Sequence, residues 1–354
     1  METRQAVSVV GLRMARFLLV GAVLTCLGAC APSEKQGTEA REELSLKDTS
    51  GAKTQTPASA GVKGLVLRYR AGDVFRYRVV QETNGGPDTA RTRTKSTHCY
   101  TRTVRSIRSD GSFETVMRFD SISVSALVSN AKTGQKLVEQ SYRSSDTAAE
   151  TKNRFPQFAA LIGEEVLVYI TPDGRVQQVG DVAPIVKKIA TSSQQQVPPA
   201  ALEQLASQIK ASIYASFSLQ EFVPYPKQEI DSAGRWVNEQ VTPLSDIFSL
   251  TTKATYTIER IYELNGRHLG VVSANVVGNV RVAPLPKGSP LSITVSSSSI
   301  IGESNALMDV DRGYTISKKN RIMMNMTARV RMPQGGEQTV SQSQDSRYEI
   351  DLLP

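Results

Sequence analysis

In residues 74–80, Phe75, Tyr77 and Val79 fall on one side of an extended chain, and Arg76 and Arg78 on the other. Successive side chains of a strand point to opposite faces, so a repeat of two marks a strand with one buried face. Runs of this kind recur along the chain between turn residues. Residues 65–69 read as a strand before the turn 70–73. Residues 92–107 and 113–128 flank Ser109-Asp110-Gly111-Ser112 and read as a hairpin. Residues 165–170 and 175–177 flank Thr171-Pro172-Asp173-Gly174, and 252–264 and 271–282 flank Asn265-Gly266. Strands at 291–301, 313–317, 321–332 and 339–352 complete the set, with Gly335-Gly336 turning the last pair. Several runs far exceed the usual strand of about five or six residues. The fold class is therefore mainly β (α+β): a large curved antiparallel sheet, or two similar β lobes around a central helical insert. The two-lobe arrangement rests on an internal echo. A Gly turn and an aromatic (Gly72, Phe75; Gly234, Trp236) precede a Thr-aliphatic-x-x-Ile strand (103–107; 257–261) and a Gly hairpin at Gly111 or Gly266.

The middle of the chain changes period. After Pro198-Pro199, residues Leu202, Leu205, Ile209, Ile213 and Phe217 recur at three and four, which makes one apolar stripe on a helix over 199–217. A short helix is predicted at 181–190, and a helical stretch at 146–161 is interrupted by Pro156. The helical insert therefore spans about 181–220. Trp236, the only tryptophan, follows a Gly turn and reads first as a core anchor. With the helix stripe it also defines a possible ligand cleft: Leu202, Leu205, Ile209, Ile213, Phe217 and Trp236.

The N-terminus is of another character. Arg4, Arg13 and Arg16 precede an uncharged run over 17–29, too short for a bilayer span of about 20 residues. The run ends in Leu27-Gly28-Ala29-Cys30, which resembles the lipobox of bacterial lipoproteins. That resemblance implies cleavage between Ala29 and Cys30 and lipidation of Cys30. Met14 is a second candidate translation start. Residues 1–29 are then a signal peptide, and 30–62 a lipidated cysteine and disordered tether, since 31–62 lack aromatics and cannot bury enough apolar surface to offset ordering. Residues 63–354 form the β-rich domain. Lipoproteins of this kind are held in the cell envelope, and Ala31 directs them to the outer membrane of a two-membrane cell.

Net charge is +8 for the whole chain and +7 from Lys63 onward. The basic residues are scattered along strands; solubility accounts for the charge, or else attraction to anionic lipid headgroups or polyanionic envelope polymers, and nucleic acid is not expected as a partner of an exported protein. Of three cysteines, Cys26 is lost with the signal and Cys30 is acylated, leaving Cys99 without an intramolecular partner.

No enzyme constellation emerges. His98 and Cys99 are neighbours on a strand and point to opposite faces. His268 sits beside a turn and is expected at the surface. Ser207 and Lys210 with Lys132-Thr133-Gly134 have the wrong order and setting for a penicillin-recognising site. Gly302-Glu303-Ser304-Asn305-Ala306 lacks the last glycine of a nucleophile elbow. Asp309 and Asp311 lack the ligand spacing of a calcium loop and read as turn residues. No metal or cofactor is expected.

Four segments resemble a family of bacterial envelope lipoproteins classed as a domain of unknown function. They are Ala71 to Tyr77, Leu161 to Val176, the segment carrying Pro224, Gly234 and Trp236, and Asp309, Gly313 and Tyr314. These are turn and core signatures, and the resemblance brings no activity with it. The layout is also similar to lipoprotein carriers that wrap an open sheet around helices to hold acyl chains. The expected function is a non-enzymatic, membrane-anchored binding module for a lipid or other hydrophobic ligand. The alternatives are a structural or protein-interaction lipoprotein of the envelope, or an unrecognised hydrolase.

Overall fold

One antiparallel sheet of thirteen strands accounts for nearly all of the regular structure. The computed structural model describes residues 53–55, 65–146, 148, 155–192, 198–217, 223–226, 230–243, 248–264, 266–282, 292–331 and 336–354. The elements in chain order are β1 (Lys53–Gln55), β2 (Val74–Pro87), β3 (Ala90–Ile107), β4 (Phe113–Asn130), β5 (Lys136–Arg143), α1 (Pro156–Leu161), β6 (Glu165–Ile170), β7 (Val176–Val179), α2 (Ala183–Ser192), α3 (Pro199–Ser216), β8 (Arg235–Pro243), β9 (Phe248–Leu264), β10 (Arg267–Val282), β11 (Ser292–Asp309), β12 (Tyr314–Arg331) and β13 (Glu337–Leu353).

From β8 the strand path runs β9, β10, β11, β12, β13, β2, β3, β4, β6 and β7, with β1 also on β9 and β5 also on β4. The two candidate lobes are thus halves of one sheet, joined where β13 pairs β2. Ten steps of about 4.8 Å would put β7 about 48 Å from β8 in a flat sheet. Instead Arg175, just before β7, donates to Asn238 Oδ1 of β8 at 3.1 Å. The sheet therefore curls until its ends meet, the accumulated right-handed twist of long strands carried to near closure.

Closure is made at one end, where the turns between β3 and β4, β6 and β7, and β11 and β12 gather. Residues 65–70 cross it as a plug. Leu67 N donates to Pro172 O at 2.8 Å and Arg68 N to Arg312 O at 2.9 Å. Tyr225 is a second strap: its N–H donates to Asp173 O at 3.1 Å and its hydroxyl to Gly313 O. Residues 65–69 were expected to form a strand. Their alternation is real, since Leu65, Leu67 and Tyr69 are buried, but they bond to two separate turns and not to a neighbouring strand.

The inner face at this end is the core. Tyr77, Val104, Val168, Ile170, Ile258, Ile261, Met308 and Ile350 are buried there. The helices cover the inner face; Phe217, the C-cap of α3, packs its ring edge on Tyr100 of β3 at 5.8 Å. Arg102 is fully buried, with its guanidinium over the rings of Tyr69, Phe75 and Tyr77 at 5.1, 5.1 and 5.7 Å and a bond to the Tyr69 hydroxyl at 2.9 Å. Aromatic faces offset part of the desolvation of that cation.

Other expectations are refined. Pro156 opens α1 at the position where a proline's missing N–H costs nothing; it does not interrupt a helix. The strand expected at 313–317 and the one at 321–332 are a single strand, β12. β5 and β8 were not foreseen, and β1 lies within the stretch expected to be tether, pairing Lys53–Gln55 with Ile261–Glu263 of β9. The rest of the tether and the whole of the signal segment lie outside the described residues.

Gly313 tests the closure. Its φ is +75°, and an added Cβ would lie 2.8 Å from the Val66 carbonyl carbon. Gly266 has a similar φ of +70° with open space around it. Gly313→Ala is expected to cost about 2–4 kcal/mol in urea unfolding, against about 1 kcal/mol for Gly266→Ala. Equal costs would mean that the plug does not press on the turn before β12.

Candidate ligand-binding face

Cross-strand register lets the inner face be read in layers from the closed end outward. Above the aromatic core, one layer holds Lys318, Ile350, Val79, His98 and Ile122. The next is polar across five strands: Ser304, Asn320, Tyr348, Gln81 and Ser96. Ser304 donates to Asn320 Oδ1 at 2.5 Å, and in the adjoining layer the Thr83 and Ser346 hydroxyls share a bond at 2.6 Å. The Ser96 hydroxyl is buried with no hydrogen-bond partner among the described residues. A buried hydroxyl left unpaired costs about 1–3 kcal/mol, so this belt carries unused bonding capacity.

Toward the open end the lining divides. On β9 to β12, Leu250, Val280 and Ile300 are buried, and Phe248, Ile322, Met324 and Met326 are half-buried against them. On β13 the facing positions are Ser346, Gln344 and Gln342, direct partners of Ile322, Met324 and Met326. An apolar wall thus meets a neutral hydrogen-bonding wall along one ladder. Beyond Gly278 and Ile300, β10 and β11 no longer pair. The Ser298 hydroxyl bridges the parting strands, accepting from Val280 N at 3.0 Å and donating to Val280 O at 3.2 Å. The wedge that opens there has a volume of about 530 Å³; a second recess of about 310 Å³ lies between two outer-face rows, Ser297, Thr327 and Ser341 and Ser299, Asn325 and Ser343, with Ser298, Met326 and Gln342 between them.

The residues singled out by sequence fall elsewhere. Ile209, Ile213 and Phe217 are buried in the core, and Leu202 and Leu205 pack partly buried against it. Trp236 is buried, stacked on Tyr256 at 5.1 Å, and donates from Nε1 to Pro224 O at 2.8 Å. None of these six lines either recess. Ala29 and Cys30 lie outside the described residues. His98 is buried and Cys99 faces the other way, half-exposed. His268 is half-buried and engages Asp311, donating its backbone N–H to the carboxylate at 2.8 Å and pairing with it through Nδ1 at 3.0 Å. Asp309 acts as a turn residue, accepting from Arg312 N at 2.9 Å and from Arg267 Nε at 3.0 Å. Ser207 sits within α3, and Lys132-Thr133-Gly134 is the turn between β4 and β5, held by Asn130 Oδ1. Among the described residues no three His, Cys, Asp or Glu side chains gather as a metal site, and no helix is long and apolar enough to cross a membrane.

A family model described as "Family of unknown function (DUF6263)" matches residues 110–312. The chain belongs to the DUF6263 family. In this DUF6263 protein the matched stretch runs from the turn before β4 to the turn before β12, and so includes α1 to α3 and the Tyr225 strap. No curated protein sequence matches the chain. Among solved structures, one described as "Lipid-protein interactions in lipovitellin" aligns at 10% identity and a TM-score of 0.45, covering 81% of this chain. The chain spans about a quarter of that lipovitellin, 26%. The Pseudomonas aeruginosa OccK7 (OpdD) structure aligns at 7% identity and a TM-score of 0.20, covering 79% of this chain and 98% of that one. The outer membrane protein OprD of Pseudomonas aeruginosa aligns at 6% and 0.21, covering 80% and 94%. None of the three likenesses carries weight for function.

His98 gives this interior a pH signature. Its ring lies against Tyr100 and Phe119 at 6.2 and 5.9 Å, and burial pushes its pKa down to about 4 from 6.5. On acidification the unfolded chain takes the proton first. Stability from this group is intact above pH about 6.5 and declines as pH falls toward 4, by about 3 kcal/mol in all. His98→Gln is expected to flatten the slope of unfolding free energy between pH 6.5 and 4. An unchanged slope would place the ring in contact with water.

Proposed function

We propose that this DUF6263 protein is a non-enzymatic binding module of the cell envelope, anchored through lipid on Cys30, whose curled sheet receives an amphipathic, lipid-like ligand at its open end. The observation that carries this reading is the ladder of β12 and β13, where Ile322, Met324 and Met326 stand directly beside Ser346, Gln344 and Gln342. A hydrocarbon chain would lie on the methionine side, whose unbranched thioethers adapt to varied shapes. Its polar end would meet the amide and hydroxyl side. These six ladder side chains are uncharged, which favours an uncharged head such as an ester, amide or hydroxyl. The helix stripe first considered for this role is spent on the core, so the ligand surface moves to the far side of the polar belt.

Two experiments test the reading. The whole chain, extracted from membranes and examined by native mass spectrometry, is expected to carry a co-purified lipid and to bind a fluorescent fatty ester after delipidation. Replacing half-buried Met324 and Met326 with Gln removes apolar contact worth about 1 kcal/mol or more at each position, so affinity should fall at least tenfold, in a chain whose unfolding stays cooperative at a midpoint lowered by lost contact with Leu250, Val280 and Ile300. A clean mass and no probe binding by the wild-type chain would sink the ligand reading. For the anchor, the mature chain is expected to begin at an acylated Cys30, and Cys30→Ser to release it from membranes. An unmodified N-terminus on a membrane-bound chain would sink that part alone.

A further inference from the structure

The outer face of the sheet is mostly polar, with ladders such as Arg78–Asp351 at 2.7 Å and Arg321–Asp345 at 2.9 Å. One row departs from this. Val277, Ile301 and Met323 are 54%, 57% and 38% exposed. They are direct register partners on β10, β11 and β12, so they form one unbroken apolar row across three strands. The row continues to Lys253 of β9 on one side and Asp345 of β13 on the other.

We propose that this row is the contact between two copies of the chain, related by a two-fold axis that runs along β11. Such an axis lies in the interface and reverses the row on itself. Ile301 then meets Ile301 of the second copy, Val277 meets Met323, and Lys253 meets Asp345. The apolar positions pair with apolar positions, and the flanking charges are opposite in sign. An axis across the strands would instead set Lys253 against Lys253 and Asp345 against Asp345. Charge order therefore selects both the partner and the orientation. Two features oppose the pairing: Glu303, a partner of Asn275 and Arg321 one step toward the closed end, faces its own copy, and Lys253 and Asp345 already pair within the chain, with Glu239 at 3.2 Å and Arg321 at 2.9 Å, so they would exchange partners on association. The outer face is convex, so the contact is a strip centred on β11. Its area falls below the roughly 800 Å² per partner of a standard interface, and association should be weak in dilute solution and favoured where copies are concentrated.

The test uses the full chain with Cys99→Ser, expressed in cells and oxidised in place. Ile301→Cys should give a disulfide-linked dimer, and Ser125→Cys, exposed on the same outer face but distant on β4, should not. Adding Lys253→Glu to the first variant should cut the cross-link several-fold, and Lys253→Glu with Asp345→Lys should restore it. Glu303→Gln should raise it. Equal cross-linking of the Ile301→Cys and Ser125→Cys variants would mean random collision and overturn the proposal. So would a dimer indifferent to the charge exchange, a cross-linked species of another mass, or no cross-link at all.

Discussion

Everything inside this sheet depends on closure at one end by backbone hydrogen bonds from segments that are not strands. A curled sheet left to its own ladder has two free edges and no reason to stop at a given curvature. Here the plug at 65–70 ties the turn after β6 to the turn before β12, and Tyr225 ties the same two turns again. Because those turns belong to opposite regions of the strand path, tying them sets the diameter. Among the described residues the helices pack with the core near the ties, and none packs against the cluster of Leu250, Val280 and Ile300.

The closed end also accounts for four of the turn and core segments singled out in the sequence. The segments around Asp73, Pro172, Pro224 and Gly313 are far apart in sequence and meet there: Arg312 pairs with Asp73, Leu67 bonds Pro172, Trp236 bonds Pro224, and Phe75 lies 5.1 Å from Tyr314. They are the fittings of the closure.

Much of the fold was legible because alternation reports a buried face without needing to know the neighbour. The hairpins at Gly111, Gly174 and Gly266 came from turn chemistry, and α3 from its stripe. The same logic failed at residues 65–69, where an alternating segment is buried without a ladder. It was also silent on the candidate binding face. In Met323-Met324-Asn325-Met326 both faces of the strand hold methionine, so no alternation marks the inner one. In Ser341-Gln342-Ser343-Gln344 both faces are polar, and the pattern again says nothing. Only register, which sets Met324 beside Gln344, turns two uninformative segments into a two-sided wall. The stripe on α3 was read correctly as apolar, but periodicity cannot say whether an apolar face meets a ligand or the protein's own core.

The pairing of β13 with β2 has a kinetic consequence. The ladder in the middle of the sheet joins Gln342–Leu353 to Arg76–Pro87, so its two strands are separated by most of the domain. Half the sheet cannot be zipped to the other half until the last strand has arrived. Folding of so non-local a topology is slow, since loop closure precedes any reward from contact. A chain cut short before β13 would therefore hold two separate meanders with no ladder between them.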